Sequence, residues 1–162
     1  MRAERSRKNL FAISLVSALA LAIVPFPEAI APYRPDWLPL VLIFWALMAP
    51  EFVGLLIAFA LGLALDTLTG SLLGQHALAM VTVVYLSMRF HLQIRVFPIW
   101  QLSACVIFLL GLYEFILFWA DGIAGRSVPT IERWAPVVSG ALVWPLILGY
   151  FASIRNDAQT RV

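Results

Sequence analysis

Cysteine is all but absent from this chain. Cys105 is the single one in 162 residues, and it lies in the middle of an apolar run. It can form no internal disulfide and reads as a small packing residue. The two histidines, His76 and His91, have no cysteine near them in the sequence, which disfavours a metal site. Charge is scarce as well. Only 12% of residues are charged and the formal net charge is +2, so bulk electrostatics gives no reason to expect a nucleic-acid partner. There is no internal repeat of the kind many secondary transporters carry.

Apolar sequence is abundant. Hydrophobic residues make up 62% of the chain and the mean hydropathy is +0.93. No soluble domain of this size can bury so much apolar surface. The expectation is an all-α polytopic membrane protein forming a single integral membrane domain, 1–162. Six transmembrane helices are expected at about 9–24, 37–49, 52–69, 75–88, 99–120 and 134–154.

The breaks between them have physical causes. Pro25 and Pro27 end the first run, because proline lacks the helix donor and clashes with the preceding turn. Phe26, Ile30, Tyr33 and Trp37 give the following loop an interfacial character. Asp36 is placed to cap the second helix, with Trp37 as an anchor at headgroup level. Pro50 and Glu51 make a tight turn, since one helix over 37–69 would bury both near its middle. Residues 89–98 read as a polar interruption. Pro145, after Trp144, falls mid-span in the last helix and should kink it.

Six spans put both termini on one side. That side carries Arg2, Arg5, Arg7, Lys8, Arg89, Arg95, Arg155 and Arg161, eight in all; the other carries three, Arg34, Arg126 and Arg133. The positive-inside rule then makes both termini cytoplasmic.

The chain is organised around residues 62–78, where Asp66, Gly70, Gly74, Gln75 and His76 interrupt apolar sequence. A helix over 52–65 would reach only about 21 Å at ~1.5 Å per residue, short of a ~30 Å hydrocarbon core. Extending it through Asp66 places that carboxylate about one turn from the far face. There it is either an acidic helix end snorkelling to water or an inward-facing polar centre. Gly70 and Gly74 permit a sharp turn because glycine takes positive φ freely. Glu114 is a second intramembrane carboxylate, seven residues before Asp121 and on roughly the same helix face. Arg133, Arg126 and His76 are the candidate partners of these acids. Ser103 and Ser139 sit in no catalytic-looking motif, so no catalytic residue, cofactor or metal is assigned. Gly54, Ala58 and Gly62 are spaced by four, which permits close helix approach either within the bundle or to a partner.

An ordered set of residues resembles the rod shape-determining protein MreD family of bacteria. It comprises Arg34, Pro35, Asp36 and Trp37; a leucine-rich helix ending in Ala49 and Pro50; and Gly62 followed by Leu65 and Asp66. It continues with Gly70, Ser71, Leu73, Gly74, Ala77, Leu78 and Ala79, then Trp100 and Gln101, then Trp144 and Pro145. The resemblance implies a non-enzymatic inner-membrane scaffold of the elongation (Rod) complex, binding the single-span protein MreC and helping regulate peptidoglycan synthesis and rod cell shape. MreB, RodZ and the RodA–class B penicillin-binding protein synthase would be wider partners, with membrane lipids around the chain. It also implies a fold like the S component of energy-coupling-factor transporters, and hence an alternative reading as a small-molecule-binding S-type component. The expected partner-binding or structural outer turn is Asp66, Gly70, Gly74 and His76, with Arg34, Asp36 and Trp37 as its neighbour.

Overall fold

A computed structural model describes residues 2–27, 31–94, 96–126 and 130–159 of the chain. Six α-helices and one short 3-10 turn, and no strand, are found among them: α1 (Arg2–Ile23), the turn Ala31–Tyr33, α2 (Trp37–Met48), α3 (Leu55–Thr69), α4 (Gln75–Ile94), α5 (Ile99–Ile123) and α6 (Thr130–Gln159). Ile30, Arg95 and the end of the C-terminal tail lie outside the described residues, as does the side chain of Glu132.

Helix α2 is the axis of the bundle. It is apolar all round, and a helix of that kind is stable only if it is enclosed. Every residue from Leu38 to Leu47 is buried. Pro39 falls in its first turn, where the missing N–H costs nothing. Helices α1, α4, α5 and α6 all pack against it. Trp144 of α6 is fully buried and meets Phe44 of α2 with ring centroids 6.3 Å apart. Trp45 donates its indole N–H to Ser14 of α1 at 2.9 Å.

Helix α3 stands outside this shell and leans on α4. Its buried positions are Ala58, Gly62, Leu65 and Asp66, a single stripe of one helix face. At Gly62 a Cβ would fall 2.3 Å from the Cα of Ala77, backbone against side chain, so only glycine admits this approach. Ala58 and Gly62 of the small-residue stripe are thus used within the bundle.

Helix number agrees with the sequence reading; length agrees in part. Two helices, α4 and α5, are long and apolar enough to cross a membrane by length and composition. With 12 and 15 residues, α2 and α3 would reach only about 18 and 22 Å. Several boundaries also move. Residues 49–54 form the turn between α2 and α3, so α3 begins at Leu55 rather than at 52. The stretch 89–94, expected as an interruption, continues α4: it holds no proline or glycine, and the chain turns only before Pro98. Helix α6 runs through both Pro136 and Pro145. Outside the bundle, Leu56, Phe108, Phe118, Ile123, Leu142 and many other large apolar side chains are exposed. A belt of that extent is suited to a bilayer rather than to water.

Candidate functional site

The polar side chains gather where α3 and α5 end and where α2, α4 and α6 begin. Two networks meet there. The first is the turn between α3 and α4. Gly70 closes α3 in the left-handed conformation, φ 66°, and its N–H together with that of Ser71 returns to the Asp66 carbonyl. This is the glycine helix stop expected from the sequence. Gly74 also takes positive φ, 95°. Asp66, only 1% exposed, fills the inside of the turn. Its carboxylate accepts from Ser71 Oγ at 2.8 Å, Gly74 N–H at 2.8 Å, His76 N–H at 2.9 Å and His76 Nδ1 at 2.7 Å. Asp66 is therefore turned inward, away from the surface of the bundle. Its carboxylate is spent on backbone and neighbouring side chains.

Serine, histidine and aspartate thus come together, but not as a nucleophile and its base. The Ser71 hydroxyl donates to Asp66, and Nδ1–H of His76 donates to the same oxygen. A triad needs the serine on one ring nitrogen and the acid on the other. Here Ser71 Oγ and the Asp66 carboxylate both approach the same ring nitrogen, Nδ1, at 3.1 and 2.7 Å, so the serine–histidine–acid order of a triad is not formed.

The second network is held by Arg133, whose side chain is 9% exposed. It pairs with Asp121 and, at 3.6 Å, with Glu114. The seven-residue spacing of those two acids on α5 presents both to one cation. Glu114 in turn shares a hydrogen bond with the carboxyl of Asp36. Two carboxyl groups can make such a bond only when one carries a proton. Burial pushes the Asp36 carboxyl above its ordinary value near 3.8, against the opposing pull of that hydrogen bond and of His76, Arg34 and Arg133. Gln75, buried at the start of α4, donates its amide to Asp121 at 3.2 Å.

Two expectations at residues 34–37 need correction. Asp36 does occupy the cap position of α2, but its side chain makes no capping bond; the carboxyl of Glu114 competes for it and wins. Trp37 is not a free interfacial anchor: it packs on the core, and its indole N–H is buried without a partner. Arg34 lies apart from the Asp66 turn. It donates to the Leu21 carbonyl of α1 and covers the Phe26 ring, 5.3 Å from its centroid. The structure thus joins Asp66, Gly70, Gly74 and His76 in one turn and joins Asp36 to Glu114. Sequence reasoning offered Arg133 only as one of three candidate partners and singled out Ser71 only within a family pattern.

Between the networks lies a cavity of about 380 Å³, lined among others by Asp36, Gln75, His76, Glu114, Arg126 and Arg133. Three polar side-chain atoms of this lining are buried without a hydrogen-bond partner: Asp36 Oδ2, Gln75 Oε1 and Arg133 Nε. No group of three or more potential metal ligands occurs among the described residues.

The family model described as rod shape-determining protein MreD matches residues 5–154. The rod shape-determining protein MreD of Haemophilus influenzae is 29% identical over 144 residues, covering 89% of each chain. No solved structure matches.

Proposed function

The chain belongs to the rod shape-determining protein MreD family, and from that premise we infer that it is a non-enzymatic scaffold of the bacterial inner membrane. Its role in rod shape determination follows from the family. Its task on this reading is to receive the transmembrane helix and adjacent periplasmic segment of MreC. Through MreC it would bias the RodA–class B penicillin-binding protein synthase in peptidoglycan synthesis, alongside MreB and RodZ. All six helices would then lie in the membrane, with both termini cytoplasmic and the Asp66 turn outside. The observation that carries the reading is the construction of that turn. A buried carboxylate with four donors fixes the α3–α4 connection as a rigid rim, and a preformed rim beside a lipid-facing belt orients a partner without itself reacting. At the opposite end Arg7 of α1 pairs with Glu51 at 3.2 Å, an exposed contact of small energetic weight.

The alternative is an S-type small-molecule component of a transporter, favoured by the cavity of about 380 Å³. Affinity purification of the tagged chain in mild detergent, with protein and small-molecule mass spectrometry of the eluate, separates the two. The scaffold reading requires a near-stoichiometric single-span protein with a periplasmic domain. An ATPase module with a bound small molecule, and no such protein, refutes it.

A further inference from the structure

We propose that the outer cavity binds a small zwitterion, an ammonium joined to a phosphate or carboxylate, either free or as the headgroup of an aminophospholipid. The ammonium end follows from unmet acceptors. Gln75 is 6% exposed, and while its amide nitrogen is committed to Asp121, its Oε1 accepts nothing. Asp36 Oδ2 is likewise sealed and unpartnered. Buried acceptors without donors cost free energy that a ligand's N–H groups recover. In the structure no lining side chain donates to either atom. Arg133 is spent on Glu114 and Asp121.

The anionic end follows from the opposite surplus. Arg126 lines the same cavity, is exposed, and forms no ion pair among the described residues. Arg133 Nε is a buried donor without an acceptor. One cavity therefore holds unmet acceptors together with an unpaired cation and an unmet donor. A simple cation would leave Arg126 and Arg133 Nε unanswered, and a simple anion would leave Asp36 and Gln75 so. A molecule carrying both charges answers all four. The site is independent of the scaffold reading, and either can fail without the other.

The test uses the full chain in a neutral detergent with two probes. Calorimetric titration with phosphoethanolamine reads the free zwitterion. Native mass spectrometry after exposure to equal amounts of phosphatidylethanolamine and phosphatidylglycerol reads the headgroup. The variants are D36N, which keeps shape and removes charge, and R126Q at an exposed position, with elution as a single folded species as the control. The expected result is saturable phosphoethanolamine binding, or at least tenfold preferential retention of phosphatidylethanolamine, weakened tenfold or more in both variants. Binding of the free compound assigns a soluble ligand, and retention of the lipid alone assigns a headgroup. Absence of both in the folded wild-type chain overturns the proposal, as does either folded variant binding like wild type.

Discussion

Replacing Asp66 by asparagine tests the central structural claim, because it preserves size while removing one acceptor oxygen. The carboxylate accepts at both oxygens: Ser71 Oγ, His76 N–H and His76 Nδ1 converge on Oδ1, and Gly74 N–H on Oδ2. In the variant the best arrangement keeps the carbonyl at the Oδ1 position and turns the new amide nitrogen toward Gly74. A charge-assisted bond is lost there, and two donors face each other in a buried site. A bond to a charged group contributes ~1.5–3 kcal/mol, and a stranded buried donor costs ~1–3 kcal/mol. Since the two overlap, D66N should destabilise the chain by about 3 kcal/mol. For a chain of this length that corresponds to a Tm lower by roughly 6–12 °C. The assay is thermal unfolding in detergent, followed by tryptophan fluorescence and by the fraction eluting as a single species. A Tm within 1 °C of wild type would refute the view that this carboxylate holds the turn. A destabilised D66N chain that still binds its partner fully would leave the turn structural and remove Asp66 from the partner surface.

Gly62→Ala places a methyl 2.3 Å from the Ala77 Cα and forces α3 away from α4; a loss of ~1–3 kcal/mol in the same unfolding assay is expected, whereas Gly54→Ala, with nothing nearer than 4.0 Å, should lose far less. Arg133→Met leaves Glu114 and Asp121 buried without their cation; a loss of ~3–5 kcal/mol is expected, partly restored by Arg133→Lys, and equal stability of the Met and Lys variants would refute the pairing. Asp36→Asn should shift the balance with pH. Because burial raises the folded-state pKa of Asp36 above its ordinary value near 3.8, its stabilising contribution is complete below that value and is lost as pH rises through the raised one. Asparagine carries no charge at any pH, and its carbonyl can still accept the bond from Glu114. D36N should therefore gain in Tm relative to wild type as pH rises above the ordinary carboxylate value, and a relative loss on raising the pH would show the sign to be wrong.

Much of the architecture was legible because it rests on local rules. Helix number, the glycine stop at Gly70 and the positive φ at Gly74 follow from residue type alone. The common face of Glu114 and Asp121 follows from spacing, though not their shared partner, Arg133. What was not legible depends on competition between distant groups. Asp36 reads as a cap because the cap bond is local, and nothing in residues 34–40 discloses that Glu114, on another helix, will take the carboxyl instead. Trp37 reads as an anchor for the same reason. The extent of α2 was legible, but its place at the centre was not. An apolar run of 12 residues looks the same whether it meets lipid on one side or protein on all. The stripe of Gly54, Ala58 and Gly62 gave close approach but not its object, which at Gly62 is Ala77 of α4.

The two networks are joined by the first turn of α4. Gln75 and His76 are consecutive, and consecutive helix positions point about 100° apart, since 3.6 residues complete a turn. One side chain therefore reaches Asp121 on α5 while the next reaches Asp66 on α3. The Gly74 N–H, bound to the Asp66 carboxylate, fixes where that turn begins. A shift of α4 along its axis would disturb both sets of bonds together. The rim formed by the α3–α4 turn and the cavity beside Arg133 are thus positioned by a common element. This accounts for the concentration of buried polar groups at one end of a chain that is apolar almost everywhere else.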